Sequence, residues 1–464
     1  MGQAEMNGEG GARPSLVRAM GRWDLTAVGV NQVIGSGIFV MPAAVAAAVG
    51  VASSPLPWIA AGIANALIVL CFAEAGTRFR EAGGPYVYAH KAFGPFVAFE
   101  VAWMMWVTRV VSQAALANAF ALYVGRFWGP PEAGTRFLFN EGATGGGGRI
   151  LVVALILGTL ALINVAGVRY GSWVINFFTV TKLVPLLLFL AVGLFYIEPG
   201  NFDGMLDIGG GDLAAAVLML MFAFGGYELI GIPASESRSP RRDAPRALLL
   251  TIGIVCAVYV LVQLVAAGTL PGLAASDTPL ADSAEMFMGP AFGVLIAIGG
   301  LLSIAGSNAG SMLAGPRLTF AMGEKGQLPS VFAHVHPRFR TPDVSILVFA
   351  AIAFALALTG TFAQLATLSA VARIAFYMAT CAAVPVLRRK VEAPDNAFEL
   401  PGGVLIPALA LIVSFAILAS ATWADVQTGS AGAGIRGLMG LPTVGGALAL
   451  VAGAGLYFAA KKRS

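Results

Sequence analysis

A chain of 464 residues that is 58% apolar and 11% charged, with a mean hydropathy of +0.82, is excluded from the ordinary soluble classes and reads as a polytopic membrane protein. A hydrocarbon core about 30 Å thick needs about 20 apolar residues per helix, and runs of that length recur along almost the whole sequence, leaving no room for a separate soluble domain. The net charge of +4 comes from residues flanking these runs, so it calls for no acidic partner and no nucleic acid.

Residues 1–20, MGQAEMNGEGGARPSLVRAM, are polar and glycine-rich without an apolar core, which argues against a cleaved signal peptide and for a cytoplasmic N-terminal tail. Candidate spans follow at 24–48, 57–77, 94–124, 149–168, 171–197, 212–235, 246–268, 291–321, 343–360, 364–387, 403–423 and 441–460, twelve in all. Flanking positive charge orients them. With the N-terminus inside, the arginines and lysines of 13–22, 78–91, 238–246, 317–340, 388–390 and 461–463, with Arg169, all fall on the cytoplasmic side. The outer side receives only Arg126, Arg136, Arg149 and Arg436. A miscounted helix would scramble this asymmetry, so the expectation is twelve spans in the plasma (inner) membrane with both termini cytoplasmic.

The loops carry further signals. The inner loop 79–93 mixes charge with Tyr86, Tyr88 and Phe93 and suits an amphipathic segment at the headgroup boundary. The stretch 142–148 reads as a flexible linker, and 271–290 is long enough to fold a short helix over an outer vestibule. Cys71, Cys256 and Cys381 fall in apolar runs, and His90, His334 and His336 in loops. Their spacing gives neither a disulfide framework nor a metal site, and no cofactor is expected.

The first span is interrupted at mid-run by Val33-Ile34-Gly35-Ser36-Gly37-Ile38-Phe39. Two glycines around a serine loosen a helix, and in lipid the loosened N–H and C=O groups need partners, which a polar solute can supply. Close packing through small residues is the competing explanation. The second half of the chain bears on this choice. Spans one to five (24–197) and six to ten (212–387) cover nearly equal lengths, and an odd number of spans per half requires inverted copies. The first helix of the second half is again interrupted, by FGGYELIGIP at 224–233. Corresponding breaks in corresponding helices favour a binding role.

The motifs IGSGIF (34–39), AEAGTRFREAGGPYVYAHKAFGPF (73–96), FGGYE (224–228), GSNAGSMLAGPRLTFAMGEKGQLP (306–329) and VPVLRRK (384–390) resemble the amino acid-polyamine-organocation family of permeases. The resemblance covers about residues 20–460. It implies an all-α membrane protein of twelve transmembrane helices, a five-plus-five inverted repeat of the leucine-transporter type with helices one and six broken, and spans eleven and twelve (403–460) outside the repeat. It also implies a secondary transporter of L-amino acids, not an enzyme. A half-helix starting after Gly37 would turn free N–H groups and a positive dipole end toward a substrate carboxylate. By resemblance, the carboxylate contacts fall on Ser36 and Gly37, flanked by Gly35 and Ile38. The ammonium contacts fall on the carbonyls of Val33, Phe222 and Gly225, and Phe222 and Phe224 would close over the substrate as gates.

Ionisable residues inside spans are costly and mark function by default. Lys182 lies 11 residues after Gly171, about 17 Å along span five. In relatives, a lysine here resembles a substitute for a sodium ion between spans one and eight, which makes Lys182 the candidate for proton coupling, with Ser303 and Ser307 facing it. Glu228 is either a second protonatable group or a brace for the unwound segment. Arg109, about 22 Å along span three, replaces a small or uncharged residue of relatives. It pairs either with a substrate carboxylate or, as preferred here, with an internal carboxylate such as Glu228. Arg373 poses the same question, and both argue against a cationic substrate. Glu74 and Glu100, nearer the inner ends of their spans, are expected in structural pairs. The expected function is proton-coupled amino acid symport by alternating access, with obligate exchange as the alternative. The expected partners are an amino acid, protons and the bilayer, in a monomer or homodimer.

Overall fold

The computed structural model describes residues 21–79, 84–127, 147–167, 171–207, 212–230, 239–394, 397–429 and 442–461, and all regular structure among them is helical. The first span forms two helices, α1 (Arg22–Val33) and α2 (Gly37–Val49), bent by 51° at the glycine-flanked break. The Asp24 carboxylate accepts from Gly21 N at 2.8 Å and so occupies a free N–H at the start of α1. α3 (Pro55–Thr77) opens on a proline, whose missing N–H costs nothing in a first turn. Then come α4 (Gly84–Phe93), α5 (Pro95–Gly125), α6 (Gly147–Ala166) and α7 (Gly171–Gly193). α8 (Leu213–Ala223) is capped by Asp212, whose side chain accepts from Ala215 N at 2.8 Å. A single 3-10 turn, Tyr227–Leu229, follows it.

The second half continues with α9 (Pro240–Thr269), α10 (Pro279–Met288), α11 (Pro290–Glu324) and α12 (Asp343–Thr359). α13 (Phe362–Lys390) opens on a capping box in which Thr361 and Gln364 exchange side-chain and backbone hydrogen bonds. α14 (Leu405–Gly429) and α15 (Pro442–Lys461) complete the chain. Each of the twelve expected runs therefore holds helix. Among the described residues, α3, α5, α6, α9, α11, α13, α14 and α15 are long and apolar enough to cross a bilayer, and the bent pair α1–α2 adds a ninth. Shorter apolar stretches lie at Lys182–Tyr196, in α8 and in α12. The N-terminal tail, the linker up to residue 146 and the second half of span six from 231 lie outside the described residues.

Packing sorts the helices into two groups. α1, α2 and α8 pack with α3 and α9, whereas α5 packs with α6, α11 and α12. α7 leans on α11, and α13 spans between the groups, touching α5, α8 and α3. Glycines make the close crossings possible: a side chain on Gly299 would strike Pro185 of α7, and one on Gly300 would strike Tyr123 of α5.

Three expectations change here. His90 is not in a loop, because the segment 84–93 winds into α4. Arg149 is not an outer-loop charge but is buried at the start of α6. Its guanidinium donates to Ala357 O at 2.7 Å and Gly360 O at 3.1 Å, carbonyls left free where α12 ends. Glu100 is not paired: both its carboxylate oxygens are buried without a hydrogen-bond partner among the described residues, against Gly453 of α15.

Glu74 does form the structural pair expected of it. It accepts from Arg388 Nε and Nη2, both at 2.7 Å, from Arg78 Nη2 at 3.2 Å and from Leu400 N at 3.0 Å. This bidentate clamp ties α3 to the end of α13. Glu74→Ala strands buried guanidinium charge and should cost about 3–5 kcal/mol, read as a lowered unfolding midpoint in detergent. An unchanged midpoint would show that the clamp is idle.

Candidate functional site

The break in the first span lies against the end of α8 and the turn that follows it. α1 ends at Val33, Ile34 is extended (φ −67°, ψ 94°), and Ser36 caps α2. α8 ends at Ala223, and Gly226 adopts φ +127°, a conformation open to glycine and few other residues. A Cβ on Gly37 would lie 2.8 Å from Ala223 Cβ and 2.9 Å from its Cα. One on Gly226 would lie 2.7 Å from Gln32 O. The glycines thus serve close packing of one break on the other, and this packing is what brings the two sets of loosened backbone groups together. Packing and binding, alternatives at the level of sequence, are compatible in three dimensions.

A tyrosine that sequence reasoning passed over joins the two ends. Tyr259 of α9 is 2.9 Å from Val33 O and 3.1 Å from Ala223 O, so one hydroxyl serves the terminal carbonyls of α1 and α8. The signal was a lone phenol midway along a largely apolar span. Trp58 and Phe224 both meet its ring edge-on, with centroids 5.2 Å away. Trp58 in turn donates to Gln263 Oε1 at 2.9 Å. Phe224 is fully buried in this wall, while Phe222 packs edge-to-face on Phe362 at the start of α13, so the two expected gates have different neighbours.

α11 supplies the polar wall opposite the first break. Ser303 Oγ donates to Gly35 O at 3.3 Å, and Ser307 Oγ donates to Ser303 O at 3.0 Å. A Cβ on Gly35 would lie 3.1 Å from Ser307 Oγ, so α11 and the break are in close contact. Ile38, Ser36 and Gly37 are buried, whereas Gly35 and Gly225 keep partial access. The buried Lys182 reaches α1 rather than these serines: Nζ donates to Asn31 O at 2.5 Å, one turn before the break. It makes no salt bridge among the described residues.

Glu228 is the hub on the other side. Its Oε1 accepts from Arg373 Nη1 at 2.9 Å, and its Oε2 accepts from Tyr377 OH and Gly226 N, both at 2.9 Å. The last bond ties the carboxylate to the unwound backbone itself, which is the bracing role. Arg373 lies across Gly225, where any side chain would collide with its guanidinium. Arg109 stands at 3.6 Å from Glu228 Oε1, an ion pair longer than a hydrogen bond. Of the two guanidinium groups, Arg373 is therefore the primary partner. Tyr377, also passed over in the sequence, stacks on Tyr227 with centroids 5.3 Å apart.

A helix broken at mid-span and packed against the end of a second apolar helix, in a membrane chain that is helical throughout its described residues, is an arrangement suited to a solute carrier. The sequence matches the amino acid permease family over residues 20–438. The chain belongs to this family. It is 32% identical to the serine/threonine exchanger SteT of Bacillus subtilis (strain 168), over 89% of this chain and 93% of that protein. It is 30% identical to the large neutral amino acids transporter small subunit 2 of Mus musculus, over 93% and 81% of the two chains. The branched-chain amino acid permease BcaP of Bacillus subtilis (strain 168) is 25% identical over 89% and 90%. Membership in the family, part of the amino acid-polyamine-organocation superfamily, makes this permease an amino acid transporter and not an enzyme.

The Tyr259 bridge can be tested by removing one oxygen. Tyr259→Phe leaves two buried carbonyls without their donor and should lower stability by about 1–3 kcal/mol, measured by thermal unfolding of the purified permease without substrate. Wild-type stability in the variant would mean that the bridge does not hold the two helix ends.

Proposed function

We propose that this permease carries L-amino acids across the plasma membrane by alternating access, with the substrate bound where α2 begins and α8 ends. One observation carries the reading: the loosened ends of two broken helices meet, tip against tip, at Gly37 and Ala223. The N–H groups at the start of α2, around Ser36, Gly37 and Ile38, suit the α-carboxylate. The carbonyls of Phe222, Gly225 and Val33 suit the ammonium. Val33 O already accepts from Tyr259, but a carbonyl has two lone pairs and can take a second donor. Motion would rock α1, α2, α3, α8 and α9 against the group built on α5, α6, α11 and α12.

The reading includes twelve spans, both termini cytoplasmic, and two inverted five-helix repeats. It is supported by helix in every expected run, by the one-sided distribution of arginine and lysine, and by the two interruptions at matching places.

Proton symport is the preferred energy source, with Lys182 as the coupling group. Its ammonium holds Asn31 O on α1 where a bound cation would otherwise do so, and no carboxylate among the described residues fixes its charge. Loss of that proton would release α1 beside the substrate site and so link protonation to the substrate. Exchange without protons is the second reading, favoured by the likeness to a serine/threonine exchanger.

Two variants test these assignments in proteoliposomes. Lys182→Ala should abolish amino acid uptake driven by a pH gradient while exchange survives, and an undiminished response to the gradient would remove Lys182 from coupling. Gly37→Leu should reduce binding by about 5- to 150-fold, since the α2 start can no longer approach α8 and crowding of a packed contact costs about 1–3 kcal/mol. Retained affinity in a folded Gly37→Leu variant would place the substrate elsewhere.

A further inference from the structure

We propose that Arg109 is a specificity residue that binds an anionic side chain, which makes acidic amino acids the favoured substrates. The inference rests on the site proposed above and adds the class of side chain it accepts.

The argument is one of charge balance. Arg109 of α5 and Arg373 of α13 share a single carboxylate, Glu228. Among the described residues no other carboxylate lies within 4.0 Å of either guanidinium, so the cluster keeps one uncompensated positive charge. The neighbouring elements bring phenols rather than acids: Tyr227 from the unwound segment and Tyr377 from α13. The carboxylate of α3, Glu74, is already clamped by Arg388 and Arg78, and Glu100 of α5 faces α15.

The two guanidiniums are not equivalent. Glu228 has both oxygens engaged, by Arg373 on one and by Tyr377 and Gly226 N on the other. Arg109 makes no hydrogen bond among the described residues, and its Nη2 is buried without one. Its side chain is 18% exposed, against 6% for Arg373 and 2% for Glu228, so Arg109 is the member of the cluster that a solute can reach. A guanidinium inside a membrane protein requires a counter-charge, and its planar fork fits a carboxylate through two parallel hydrogen bonds. The α-carboxylate of the substrate is already assigned to the start of α2. The anion left for Arg109 is then the carboxylate of the side chain. A substrate of net charge −1 would bring the occupied cluster to neutrality.

The test uses purified full-length permease, with L-glutamate and L-aspartate against their neutral isosteres L-glutamine and L-asparagine, in chloride and in gluconate buffers at one pH. Wild type should bind an acidic amino acid at least about tenfold more tightly than its amide. The ratio should fall to about one or below in Arg109→Gln and be partly kept in Arg109→Lys. Because the ratio is taken within one protein, a partly unfolded variant cannot mimic the result. Three outcomes overturn the proposal: wild type that prefers neutral amino acids, an unchanged ratio in Arg109→Gln, or neutral amino acid binding that requires chloride, which would make chloride the counter-ion. Wild type that binds none of these four but does bind another of the twenty amino acids overturns the proposal alone, whereas wild type that binds none of the twenty would overturn the substrate site on which the proposal rests.

Discussion

The structure depends on where backbone polar groups go when a helix is broken inside a membrane. Lipid offers them nothing, so two interruptions are sustainable only if each finds partners within the protein. Here the first partner of the break in the first span is the end of α8 and the turn after it. Gly37 meets Ala223 and Gly226 meets Gln32, and at both contacts even one methyl group would force the chains apart. Tyr259 then covers the carbonyls of Val33 and Ala223 with a single hydroxyl. The groups left over, the N–H end of α2 and the carbonyls near Gly225, are the ones a zwitterionic amino acid can satisfy.

Charge is distributed around this centre with a division of labour. Glu74 binds α3 to α13 through two arginines, and Arg149 closes the end of α12. Both assignments tie helix ends together and read as architecture. Glu228 is partly architectural too, since it braces Gly226 N, yet it also draws Arg373 over Gly225 and holds Arg109 nearby. Among the described residues Lys182, like Arg149, meets no carboxylate, but unlike a guanidinium its ammonium can shed a proton. A charge held by a neutral acceptor can leave without stranding a countercharge, and this suits a coupling group better than a structural one.

Two of the contacts that join the parts in the proposed cycle converge on the first span around its break. Lys182 reaches Asn31 from α7, and Ser303 reaches Gly35 from α11, one on each side of Val33. Substrate bound at the break would therefore be sensed by the same few residues that respond to protonation of the lysine. No long pathway is needed for coupling at this distance.

Much of this was legible from residue order. Apolar runs of membrane length, the one-sided arginines and the paired glycine interruptions are local properties, and helix forms in every run they mark. That Arg109 needs a carboxylate, internal or from a substrate, also followed from the cost of a lone charge in lipid. What residue order could not decide was which groups meet. Only the tertiary structure made Arg373 the primary partner of Glu228 and turned Lys182 to Asn31 instead of Ser303. It also folded Arg149 from a supposed loop onto α12 and revealed Tyr259 as the bridge between the breaks. The physical reason is that the hydrophobic pattern determines where a helix lies and how long it is, whereas a polar contact depends on the rotation and crossing of helices far apart in sequence. Those are determined by close packing at glycines such as Gly37 and Gly226, whose neighbours exist only in the folded chain.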